Sequence, residues 1–226
     1  MEAMAEALQL IVSGDSELAK IIGRSLYISL TAVVLAGLAG IPLGLALGLN
    51  RFSGRGLVLK LVYVFMGLPP VFVGLLVFLF LSRSGPIAPL IYILFTPAAM
   101  ILAQFLLALP IVMGLTAAAV EGQAQAILLT AKGLGASRNQ SLWTLLSELR
   151  IAIVTGLVTA FGRVIAEVGA VMLVGGDIQG YTQVLTTAIV LETRKGNFSL
   201  AIALGLVLLA LSFLVNSLLY NWQYRR

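Results

Sequence analysis

The chain has no cysteine and no histidine among its 226 residues. That inventory excludes disulfides, thiolate nucleophiles, imidazole bases and nearly every transition-metal site. No catalytic set and no metal-ligating set can be assembled, so a membrane enzyme is a poor reading. Charge is also scarce, at 10% of residues, where a soluble domain carries about 25%. No G-x4-G-K-[ST] phosphate loop occurs, so the chain is not expected to hydrolyse ATP. Gly133-Leu134-Gly135 is too short for a dinucleotide fingerprint, and no strand precedes it. The net charge of +5 does not point to nucleic acid, because the basic residues sit in short loops between apolar runs.

What remains is hydrocarbon, 60% of the chain, and it falls into stretches long enough to span a bilayer. Each span needs about 20 mainly apolar residues. The expected spans are 24–49, 57–81, 98–120, 151–174 and 198–220, an all-α membrane protein of about five helices in one transmembrane domain, 1–226. Gly40, Gly44 and Gly48 make a small-residue ridge on the first span, which also holds Pro42. Gly67-Leu68-Pro69-Pro70 must kink or unwind the second, since paired prolines remove backbone donors. Gln104 and Pro110 lie in the third, with Gln104 expected to bond across a helix interface. Ile87–Phe95 is apolar but too short to cross and reads as an interfacial or re-entrant piece. Residues 1–20 read as an amphipathic segment retained in the mature chain, because the basic region of a cleaved signal is missing. A polar loop follows Gly175, with a short helix expected at Gln183–Leu191, and Trp222 and Tyr224 suit an interfacial belt.

Five spans put the termini on opposite sides. One set of loops holds Arg51, Arg55, Lys60, Lys132, Arg138, Arg150, Arg225 and Arg226; the other holds Lys20, Arg24, Arg83, Arg194 and Lys195, offset by acids. The first set is therefore expected in the cytoplasm, with the N-terminus outside and the C-terminus inside.

Arg163 and Glu167 are the ionisable residues deep in an expected span, four apart and so on one helix face. A charge there costs about 3 kcal/mol or more, so neither should face lipid. Two readings stay open: a neutralised pair that locks packing, or a pair beside the transport pathway that changes partners. Thr155, Thr159, Gly162, Ala166 and Gly169 form a narrow small-residue face that suits either close packing or a pore. Asp177 and Glu192 in outer loops could touch an external partner, and Arg194 and Lys195 could attract an anion.

Leu129–Arg150 is a polar, basic interruption, expected to form a helical hairpin at the membrane surface. Its Leu129-Thr130-Ala131 and Leu134-Gly135-Ala136-Ser137 resemble the Glu-Ala-Ala … Leu-Gly-Ala-Ser coupling loop of ABC-importer permeases; Leu129 replaces the acid, and Ser147-Glu148 the usual Leu-Pro. Phe161–Ala170, with Arg163, Glu167 and Gly169-Ala170, is similar to the Arg-x3-Glu-x-Gly-Ala pattern of the molybdate, sulfate and tungstate permeases. Gly67-Leu68-Pro69-Pro70-Val71 and Leu81–Pro86 look most like the tungstate members.

The resemblance implies a type I ABC importer permease fold in a prokaryotic inner membrane, carrying a tetrahedral oxyanion, most readily tungstate. Molybdate or sulfate permeases, or an ion-coupled secondary transporter, are the alternatives. It implies a homodimer, two cytoplasmic ATP-binding subunits that hold the ATP-Mg, and an extracytoplasmic oxyanion-binding protein. Residues 121–150 would form the coupling loop, with Ala131, Lys132, Gly133, Leu134, Gly135, Ala136, Ser137 and Arg138 contacting the ATPase. Gly133–Ser137 would supply a short coupling helix, and Ser137 would cap the helix that follows. Thr155, Thr159, Arg163 and Glu167 would line or gate the pathway.

Overall fold

The computed structural model describes residues 16–86 and 92–224. The described residues form eight helices: α1 Ser16–Leu49, α2 Arg55–Met66, α3 Pro70–Leu81, α4 Pro97–Gly133, α5 Arg138–Ile165, α6 Gly169–Gly175, α7 Leu185–Arg194 and α8 Phe198–Tyr224. Four of these are long and apolar enough to cross a membrane, and the bent pair α2–α3 makes a fifth candidate.

The frame is α4, the longest helix at 37 residues, which buries Ala103, Leu107, Val112 and Ala117 along its length. α1 lies against it through the glycine ridge anticipated from the sequence. A Cβ built on Gly44 would stand 2.6 Å from the Met113 carbonyl oxygen, and one on Gly48 2.5 Å from Val120 Cβ. Hydrogen in place of a side chain is therefore what sets the α1–α4 separation.

α2 and α3 meet at 100°. The cause is local: Pro69 and Pro70 offer no N–H to continue α2, and Pro69 is extended at φ −61°, ψ 121°. The bent pair nevertheless runs beside α4 from Glu121 back to its start. At its start Arg55 pairs with Glu121 of α4, and near its end the Phe78 ring meets Phe95, 6.2 Å between centroids, just before α4 begins. The rise between Pro97 and Glu121 is about 36 Å at 1.5 Å per residue. The two halves thus make one broken span.

The expected fourth span, 151–174, is not one helix. α5 starts at Arg138 and stops at Ile165, and the chain turns at Ala166–Val168 before the short α6. The Glu167 carbonyl accepts from Thr186 Oγ1 at 2.7 Å, and Gly169 sits so close to α3 that a Cβ would be 2.4 Å from Val71 Cγ2. Tertiary bonds and close packing at the turn outweigh the apolar run that suggested continuity. The first span is longer than anticipated, because Ser16–Lys20 belong to α1; the rest of the 1–20 segment and Ile87–Ile91 lie outside the described residues. Tyr92–Thr96 is an irregular turn whose Phe95 N–H donates to the Val174 carbonyl at 2.8 Å.

The short helix expected after Gly175 is α7, Leu185–Arg194, slightly later than anticipated. Ser25 of α1 accepts its first N–H, from Leu185, at 2.8 Å. Thr182 and Gln183 are buried in the approach to α7, and the Thr182 hydroxyl bridges the Gly175 carbonyl and the Ile178 N–H. One end of the bundle therefore gathers Glu17, Thr96 and Gly175–Asn197. The other gathers Asn50–Arg55 and the α4–α5 turn.

Candidate functional site

Two places carry the residues singled out by the sequence, and they lie at different depths. The first is the turn between α4 and α5. Gly135 N–H donates to the Lys132 carbonyl and Ala136 N–H to the Ala131 carbonyl, each at 3.0 Å, the paired bonds that close a helix on a left-handed residue. Gly135 is that residue, at φ +79°. Ser137 then caps α5 as anticipated: its hydroxyl accepts from Gln140 N–H, and the Gln140 side chain accepts from Ser137 N–H at 2.7 Å.

The expected short helix at Gly133–Ser137 is instead this turn, and the surface hairpin is the tip of two long helices. A left-handed glycine followed by an extended cap leaves no room for a helix of its own. Ala131 is buried behind the turn, while Lys132, Gly133, Leu134, Gly135, Ser137 and Arg138 are exposed and Ala136 is half-buried. Leu134 and Trp143 are unusually bare for apolar groups, at 84% and 74% exposure. Between the helices runs a groove of about 390 Å³ lined by Ile127, Thr130, Leu134, Thr144 and Glu148. The protruding leucine and the shallow groove leave apolar surface uncovered at this turn.

The second place is the C-terminal half of α5. Arg163 and Glu167 do not pair: among the described residues neither takes part in a salt bridge. Because α5 ends at Ile165, the two side chains no longer share a helical face. The Glu167 carboxylate accepts from the Ala170 N–H at 2.9 Å and so closes the start of α6. Arg163 is exposed and reaches the Leu68 carbonyl, freed by the α2–α3 break, at 3.4 Å. Gln104 of α4 donates to the neighbouring Val164 carbonyl at 3.0 Å, the inter-helix bond anticipated for it.

Thr155 and Thr159 donate back to the carbonyls of Ile151 and Thr155, each at 2.8 Å. Thr159, Arg163 and Ala166 are all exposed, and a Cβ on Gly162 would meet nothing within 4 Å. The small face is therefore uncovered from Thr159 to Ala166 within the single chain, while Gly169 at its end is packed against Val71 of α3. A separate cavity of about 470 Å³ fills the elbow of α2 and α3, but Phe65, Leu68, Val77, Leu102, Leu106 and Met113 typify its wholly apolar lining. It offers an anion nothing.

At the α7 end of the bundle Glu192 is buried and holds Lys195 Nζ at 2.7 Å and Asn197 Nδ2 at 3.0 Å. That internal knot replaces the free contact residue expected there. Asp177 is strained at φ 48° and belongs to the turn beyond α6. Nothing in the residue pattern signals the Leu68 carbonyl, the Thr186 bond or the Arg55–Glu121 clasp, since each depends on which helices become neighbours.

The family described as binding-protein-dependent transport system inner membrane component matches residues 40–226. The chain belongs to that family. Members of this transport family similar to it include the tungstate uptake system permease protein of Peptoclostridium acidaminophilum, 42% identical over 99% of each chain. A probable anion ABC transporter permease protein of Haloferax volcanii is 44% identical over 89% of this chain and 88% of its own. The tungstate uptake permease of Campylobacter jejuni is 37% identical over 95% and 90%. This inner membrane component is a pore-forming ABC permease subunit with a type I importer permease fold, and ATP hydrolysis belongs to a separate ATPase.

Proposed function

We propose that the chain is the membrane subunit of an ATP-driven importer for tungstate, working as a homodimer. The observation that carries the substrate is the near full-length similarity to a tungstate permease, 42% over 99% of both chains. The chain itself binds no nucleotide; two ATP-binding subunits hold ATP-Mg, and a separate extracytoplasmic protein delivers the oxyanion. Ala131–Arg138 is the surface on which an ATPase docks, with the Leu134 side chain as its apolar knob. Its end of the bundle also holds Arg51, Arg55 and Lys60, which supports a cytoplasmic placement and an outside N-terminus.

Thr155, Thr159, Arg163 and Glu167 belong to the pathway in this reading, with Glu167 shaping the turn and Arg163 facing the space. The second copy covers the face around Thr159 that would otherwise leave a guanidinium in hydrocarbon. The test is co-expression with the ATPase and binding protein, purification in mild detergent, and uptake by proteoliposomes. ATP-dependent tungstate accumulation, resistant to excess sulfate and molybdate, is the expected result. Accumulation by the permease alone on an ion gradient would overturn the reading, and equal competition by the other two oxyanions would remove tungstate selectivity.

A further inference from the structure

The fracture of α2–α3 and the end of α5 meet at one spot. Leu68, in the gap between α2 and α3, offers its carbonyl to Arg163 at 3.4 Å, and beyond the gap Gly74 lies so near Ala170 that a Cβ would be 2.5 Å from its Cα. The depth of this spot follows from its neighbours. Val164 is level with Gln104 and Met66 with Gly114, positions on α4 about 10 and 25 Å from its start at Pro97. The guanidinium is thus near the middle of the span, exposed, and without a carboxylate partner among the described residues. Glu167, the obvious neutraliser, is committed to Ala170 N–H.

A mid-membrane cation left bare at this cost calls for an anion that comes and goes. We propose that Arg163 is the transit ligand for the oxyanion, one guanidinium from each copy meeting a tetrahedral dianion together. This rests on the dimeric importer reading. Two like charges facing one another across a symmetry axis repel, and a dianion between them neutralises both. Arginine's planar fork also matches a tetrahedral oxyanion with two N–H donors to two oxygens. The Leu68 carbonyl holds the side chain in place by a single long bond, weak enough to release it towards the cargo.

The chain has no cysteine, so Arg163→Cys introduces a unique thiol. In the complete complex with ATPase and binding protein, this variant is expected to co-purify with the ATPase and to lose tungstate uptake by about tenfold or more. A cationic methanethiosulfonate should then restore uptake, an anionic or neutral one of similar size should not, and tungstate should slow the labelling. Arg163→Lys should retain more uptake than Arg163→Gln. Wild-type uptake in Arg163→Cys or Arg163→Gln, or restoration by the neutral reagent, overturns the proposal. So does failure of both variants to assemble, which would make Arg163 a packing residue. Absence of tungstate uptake in the wild-type complex would instead overturn the importer reading itself.

Discussion

Removing the Glu167 carboxylate takes away the acceptor for the Ala170 N–H at the start of α6. Glu167→Leu is expected to destabilise the complex by on the order of 1 kcal/mol, the usual scale for a lost helix cap. Glu167→Gln keeps a side-chain oxygen in reach and should melt close to wild type in detergent. A charge-pair role would instead predict that Gln, which removes the charge while keeping the shape, loses as much as Leu. At Gly135 the constraint is the backbone, φ +79°, since a Cβ there would meet open space. Gly135→Val should weaken ATPase co-purification through a strained turn, about 1–2 kcal/mol, while Gly135→Asn, at home in that conformation, should retain it. Equal co-purification of the two variants would mean the turn tolerates rearrangement. The cap at Ser137 was legible in the sequence because a capping box is local. The fate of Glu167 was not, because four-residue spacing means a shared face only while the helix lasts.

At the scale of elements, the spans were legible wherever an apolar run coincided with an unbroken helix, as for α4 and α8. The proline pair correctly marked the break in the second span, although a proline pair does not by itself give the 100° angle at which the two halves meet. The break after Ile165 left no such mark: Ala166-Glu167-Val168 holds no proline, and the chain turns because Thr186 takes the Glu167 carbonyl. The glycine ridge on α1 was readable as a contact surface but not its partner. Gly44→Val would drive a side chain into the Met113 carbonyl and Thr116, with contacts of 2.6 and 2.7 Å at Cβ alone. Overpacking of this kind costs about 1–3 kcal/mol or more, so the variant should lose most of its folded yield in size-exclusion chromatography. Gly205→Ala on α8, where a Cβ meets nothing within 4 Å, should fold like the wild type. A normal yield for Gly44→Val would mean that α1 and α4 part more easily than their glycine contacts imply.

For the whole molecule, the proposed homodimer raises the question of which surface a second copy would cover, and polarity chooses between the candidates. The outer faces of α1 and α8 present Leu38 at 70% and Phe213 at 73% exposure, surfaces that acyl chains cover without cost. The face of α5 presents Thr159, Arg163 and Ala166, which lipid solvates poorly. In the proposed dimer, a two-fold axis beside α5 would hide the guanidinium from lipid and give it an aqueous space shared by both copies, which no axis at α8 would do. The cysteine-free background again makes the choice measurable. Thr159→Cys is expected to give covalent dimers with a short bis-maleimide in native membranes, while Phe213→Cys stays monomeric under the same treatment. The opposite pattern would move the axis to α8 and leave Arg163 without a second copy to share its anion.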